Sequence, residues 1–171
     1  MSHYIYCQGA LQLNHQLTPA HHAYLQRFAE IRLMKRHVEK IVLLPDPLRE
    51  AVGLSVGPEG AFYTGDSNDA ETIADANHPP EGQRDLYCPW HPSEDRMRME
   101  PASCINNWEN SYAHWMSYLI QHFLGPWGYS LSGRVAVRFE SEEISGYEMH
   151  MDENVWRSPP QFVPYGLRQR S

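Results

Sequence analysis

The chain has 171 residues, 42% hydrophobic and 20% charged, the composition of a globular domain with a core of its own and not of a disordered polymer. A net charge of −7 argues against general nucleic-acid or membrane-surface binding through bulk charge, and three cysteines, an odd number, make no disulfide framework. No apolar run is long enough to span a bilayer and no basic-then-apolar leader opens the chain, so a reducing, cytoplasmic setting without membrane contact is expected.

Residues 4–13, "YIYCQGALQL", alternate as a strand whose Ile5, Cys7, Gly9, Leu11 and Leu13 face the core. Gly9 marks a bulge or a close backbone approach. From Thr18, a good N-cap, with Pro19 at the first helical position, the pattern predicts one long helix up to Pro45. Tyr24, Leu25, Phe28, Ile31, Met34, Val38, Ile41 and Val42 form its apolar stripe. Arg27, Arg32, Lys35, Arg36 and Lys40 load its second half with the sign that suits a helix C-terminus. Residues 45–84 are rich in glycine and proline and read as a long insertion, a length that in compact domains is usually functional or disordered.

"DLYCPWHP" and "DRMRMEP" then read as two strands joined through "PSED". A second helix carries Trp108, Tyr112, Trp115, Met116, Leu119, Ile120 and Phe123 on its apolar face and stops at Gly125-Pro126. "GRVAVRFES" and "GYEMHMDEN" alternate as a closing hairpin, with Val135, Val137, Phe139, Tyr147, Met149 and Met151 inward. The order β-α-(insertion)-β-β-α-β-β predicts an α+β, ferredoxin-like sandwich with two helices on one face of an antiparallel sheet. It is expected as a single domain over 1–157, with 158–171 an extended or frayed tail.

The run "YLIQHFLGPWGYSLSGRV", with the later "DENV", resembles a functionally uncharacterised family of small bacterial and phage proteins. The shared pattern is a helix-to-strand motif: Trp115, Leu119-Ile120, His122-Phe123-Leu124 and Pro126-Trp127-Gly128-Tyr129. "YLQRFAEIRLMKR", "PDPLREAVGLSVGPEGAFYTG" and "NHPPEGQRDLYCPW" extend the similarity over most of residues 4–155. The entry to the second helix departs from it, with "INNWENSY" where the family often has a Gly-Glu-Lys-Phe-Tyr-like stretch. The resemblance implies an architecture and a bacterial or phage setting, and no reaction.

Cys88 and His91 are spaced C-x-x-H, with Cys104 further on, which is part of a zinc pattern. In an extended strand, however, Leu86, Cys88 and Trp90 share one face and His91 points the other way. No second paired motif supplies the remaining ligands, so a buried reduced cysteine is expected, with neither metal nor cofactor.

Two groups of residues suit binding. Arg32, Lys35, Arg36 and Arg49 form a basic cluster able to hold phosphate or carboxylate bidentately, with Glu59 and Tyr63 of "GPEGAFYTG" placed to cover a small ligand. Arg32 and Arg36 are expected on one helix face. The phosphate-binding pattern G-x-x-x-x-G-K-[ST] is missing, and the bland alternative is a solvated basic face neutralised by Glu39, Asp46 and Glu50. Arg96, Arg98, Arg134 and Arg138, beside Glu148 and His150, are expected on the outward sheet face as a recognition surface or as cross-strand ion pairs. No spacing of acids, histidines or serines singles out a catalytic group. The first functional reading is therefore a non-catalytic module docking a protein partner through the sheet face or the insertion. The second is an enzyme or sensor for a small anion, a nucleotide or phosphorylated metabolite, held between the basic helix end and the insertion.

Overall fold

The structure is a computed structural model that describes residues 4–102, 104–105, 111–140 and 145–164. In chain order the elements are β1 (Tyr4–Leu13), α1 (Pro19–Glu30), β2 (Lys35–Arg36), α2 (Val38–Ile41), α3 (Pro47–Ala51), β3 (Ile73–Asp75), β4 (Trp90–Pro92), β5 (Arg98–Pro101), β6 (Cys104–Ile105), α4 (Ser111–Leu119), β7 (Leu131–Glu140), β8 (Ser145–Asp152) and β9 (Val155–Pro164). They gather into two compact units, residues 17–88 and residues 1–16 with 89–171.

The second of these units is built on one antiparallel sheet in the order β4-β5-β1-β7-β8-β9, with β6 also paired to β1. Strand alternation puts the apolar set on one face. Leu11, Gly133 and Met151 lie side by side across β1, β7 and β8; so do Gly9, Val135 and Met149, then Cys7, Val137 and Tyr147. Helix α4 buries Tyr112, Trp115, Met116 and Leu119 and continues into a π-turn over Ile120–Leu124 that buries Phe123. Trp90 Nε1 donates to the Tyr112 carbonyl at 2.7 Å and Trp156 Nε1 to the Ser117 hydroxyl at 3.1 Å, so β4 and β9 are both tied to α4.

Gly9 is required by its place in β1. Its φ is +94°, and a Cβ there would collide with the Arg134 carbonyl oxygen on β7. Gly9→Ala is expected to cost about 1–3 kcal/mol in chemical denaturation, from positive-φ strain plus the clash. Gly53, at φ +72° with nothing within 4 Å of a Cβ, should cost less for the same change. Equal losses at the two positions would show that the approach to Arg134 is unimportant.

The ferredoxin-like layout is overturned. The molecule is α+β, but it is a large antiparallel sheet with scattered short helices: α1, α2 and α3 belong to residues 17–88 and α4 to the sheet unit. The single long helix expected up to Pro45 ends at Glu30, where Ile31 turns to extended backbone at φ −87°, ψ 155°. Strand-like bonds replace helical ones beyond it: Leu33 N–H donates to the Leu86 carbonyl at 2.7 Å, Lys35 N–H to His78 at 3.1 Å, and β2 pairs with β3. Leu33 and Met34 are buried by this route, whereas Val38 and Val42, expected inside, are 36% and 54% exposed. Tertiary pairing has won over local helical periodicity.

β9 occupies the first part of the stretch expected as a tail and forms one edge of the sheet. β9 contains Pro159, Pro160 and Pro164, three residues without a backbone N–H, and a sheet tolerates proline in an edge strand. Trp108 lies outside the described residues. Among the described residues no helix is long and apolar enough to cross a membrane.

Candidate functional site

The unit of residues 17–88 carries the candidate site. Helix α1 starts cleanly because the Thr18 hydroxyl accepts from His21 N–H at 3.1 Å and Pro19 follows at the first helical position. It buries Tyr24, Leu25 and Phe28 and leaves Arg27 half-buried on a side facing the segment after Tyr63. Arg27 Nε donates to the Thr64 carbonyl at 3.2 Å, and its Nη2 meets the Asp66 carboxylate at 2.7 Å.

The helix break then aims two more arginines from non-helical backbone. Arg32 Nε donates to the Ala76 carbonyl at 3.1 Å. Arg36, in β2, donates through Nη1 to the Ser67 carbonyl at 2.9 Å, and its guanidinium lies 4.8 Å from the centre of the Tyr63 ring. Burial pushes the Arg36 guanidinium down from its ordinary range, an effect opposed by Tyr63. Ser67 is fixed in turn: its N–H donates to the Tyr63 hydroxyl at 3.3 Å. Asp69 caps the short turn Ala70–Thr72 by accepting from Glu71 N–H at 3.1 Å.

Arg27, Arg32 and Arg36 open together on a cavity of about 290 Å³, with Glu30, Ile31, Gly65, Asp66 and Asn68 completing the wall. Three guanidinium cations face two carboxylates, so the wall carries an excess of one positive charge. Asp66, the counter-ion of Arg27, has a side chain 96% exposed and is free to swing away at little cost. A second cavity of about 620 Å³ adjoins through Arg27, Gly65 and Asp66 and is walled by Leu44, Pro45, Pro47, Leu48, Tyr63, Thr64 and Ser67.

No protein-family model, curated protein or solved structure matches this chain.

Of the six residues expected to hold a small ligand, the structure brings Arg32 and Arg36 to the basic cavity, and Tyr63 to the apolar one. They do so from a strand and a loop, so the shared helix face expected for Arg32 and Arg36 does not exist. Lys35 and Glu59 lie outside both linings and meet each other at 3.5 Å, with Glu59 also accepting from Glu81 N–H at 2.9 Å. Arg49 is buried: its Nε pairs with Asp46 at 2.8 Å and its Nη1 donates to the Leu54 carbonyl at 2.6 Å, an internal anchor outside both cavity linings. Sequence reasoning counted Arg27 only as helix charge and missed Asp66 and Asn68. The signal available was the turn-rich run "TGDSN" directly after an aromatic residue.

The outward sheet face takes five of the six residues expected there. One row across the strands is Ala10, Arg134 and His150; the next is Gln8, Ala136 and Glu148; Tyr6 pairs with Arg138, and Arg98 with Gln12. Arg96 instead sits at φ +64° in the connection between β4 and β5, outside the ladder. Among the described residues, no three His, Cys, Asp or Glu side chains gather as a metal-binding group. Cys88 and Trp90 are buried, 5% and 1% exposed.

Proposed function

We propose that residues 17–88 bind a small oxyanion, phosphate or carboxylate, through Arg27, Arg32 and Arg36. The observation that supports this most directly is the shared cavity. Each arginine is held in place by a backbone carbonyl, which leaves further N–H groups to donate. The half-buried Arg36 gains most, because an anion compensates the desolvation of its charge. Asp66 acts as a resident stand-in on Arg27 that an incoming anion displaces. The bacterial or phage setting of this binding rests on the helix-to-strand motif at residues 115–129.

Isothermal titration with inorganic phosphate at low salt tests the reading. Arg32→Ala should weaken binding by about tenfold, the loss of one charge-assisted hydrogen bond. Asp66→Asn should strengthen it, because the competing carboxylate is gone. A weaker Asp66→Asn complex, or Arg32→Ala and Arg36→Ala variants that bind like the parent, would refute the site.

A second reading is favoured by the sheet register. Arg98, Arg134, Arg138, Glu148 and His150 share one face, which suits docking to a protein partner of mixed charge. Reversal of Arg134 and Arg138 to Glu should abolish capture of one reproducible partner while leaving phosphate binding unchanged. Equal capture by the parent and the reversed protein would remove this reading and leave the first intact.

A further inference from the structure

The basic and apolar cavities share Arg27, Gly65 and Asp66 in their walls, so Gly65 and Asp66 form the sill between them. Glycine at this boundary leaves room for Tyr63: a Cβ at residue 65 would collide with the Tyr63 hydroxyl and lie 2.8 Å from its Cε1. The Tyr63 ring joins the two spaces physically, because it walls the apolar cavity and also carries the Arg36 guanidinium 4.8 Å from its centre. Beyond the sill, Leu44, Pro45, Pro47 and Leu48 present apolar surface. A free inorganic ion needs only the cavity of about 290 Å³ and leaves the one of about 620 Å³ unused. The larger space lies in the range of small-molecule sites, which are mostly apolar with a few convergent polar groups at one end.

We infer that the ligand is amphipathic: a compact oxyanion head held by Arg27, Arg32 and Arg36, joined to an apolar body that crosses the Gly65–Asp66 sill and lies against Leu48 and Tyr63. This rests on the anion reading above and adds the class of molecule. It also orients the ligand, with its charge toward Arg32 and its body toward α3. Asp66 stands at the crossing point, so its displacement from Arg27 opens the passage as well as the cation.

The experiment is calorimetric titration of the full chain with inorganic phosphate, phenyl phosphate, phenylacetate and benzyl alcohol. Phenyl phosphate should bind at least about tenfold tighter than inorganic phosphate, and benzyl alcohol far more weakly than either aryl anion. Phenylacetate against phenyl phosphate tells whether the head is a carboxylate or a phosphate. Leu48→Trp, which fills the apolar cavity, should erase the advantage of the phenyl group and leave inorganic phosphate unchanged. Should that variant fail to fold by circular dichroism, Leu44→Ser serves with the same readout. Equal affinity for inorganic and phenyl phosphate overturns the amphipathic ligand and keeps the anion site. A phenyl advantage that survives both variants overturns the placement of the body. Binding by none of the anions overturns the anion reading itself.

Discussion

Asp46→Ala is expected to lower the stability of the protein by about 3–5 kcal/mol, the cost of leaving a buried charge without its partner. Asp46 is fully buried and Arg49 is 8% exposed. Both carboxylate oxygens are used: Oδ2 accepts from Arg49 Nε at 2.8 Å and Thr64 N–H at 3.0 Å, and Oδ1 accepts the Thr64 hydroxyl at 2.7 Å. Truncation leaves the guanidinium with the Leu54 carbonyl alone and strands the Thr64 donors. Urea unfolding measures the loss, with an unchanged m-value expected if the native state keeps its compactness.

The double variant Asp46→Leu with Arg49→Met makes the argument sharper. Removing both charges replaces an ion pair by apolar volume, so it should be less damaging than Asp46→Ala alone. Some loss persists because Thr64 N–H still lacks its acceptor. A double variant as unstable as the single one would mean that packing, not the stranded charge, sets the cost. The folded double variant should also bind phosphate like the parent, because Arg49 lies outside the basic cavity. This separates an arginine that holds the chain together from those proposed to hold a ligand.

That separation was not legible in the sequence. Arg32, Arg36 and Arg49 look alike as letters, and only the fold reveals that Arg49 turns inward to Asp46 three residues before it. The strands fared better where alternation is strict. Val135 and Val137 on β7, and Met149 and Met151 on β8, point inward as the period-two pattern demands, because a sheet with one buried face fixes register strongly. The start of α1 was also readable, since Thr18 and Pro19 are local signals with a local mechanism. Its end was not. Ile31, Met34, Val38 and Val42 keep helical spacing, but between the two helices the backbone N–H groups of Leu33, Lys35 and His37 are claimed by distant carbonyls at Leu86, His78 and Thr72, and helical bonds resume only in α2. Long-range pairing leaves no mark in a short window. The same break swings Arg32 and Arg36 toward the segment after Tyr63, so the candidate site depends on the one feature that periodicity hides. The ferredoxin-like expectation failed for a related reason. Element order alone does not reveal that α1 and α4 belong to different units, or that β1 takes β7 as a neighbour along its whole length.

Trp90→Ala is expected to cost about 3–5 kcal/mol, in the range of large-to-small changes at fully packed aromatics. Trp90 is 1% exposed, and its ring meets Tyr112 edge-on at 6.1 Å and 89°. Its Nε1–H donates to the Tyr112 carbonyl at 2.7 Å, so β4 is bound to the first turn of α4 by packing and by one hydrogen bond together. Trp90→Phe separates the two. It keeps an aromatic ring in the site and deletes the indole N–H, so about 1–2 kcal/mol should be lost, split between that bond and the smaller ring volume. Both variants should weaken the near-ultraviolet circular dichroism of the aromatic cluster, the alanine variant more strongly. If Phe proves as costly as Ala, the hydrogen bond to Tyr112 dominates the junction. If Ala proves as mild as Phe, the edge-on packing contributes little, and the short strand Trp90–Pro92 is held by its ladder to β5 instead.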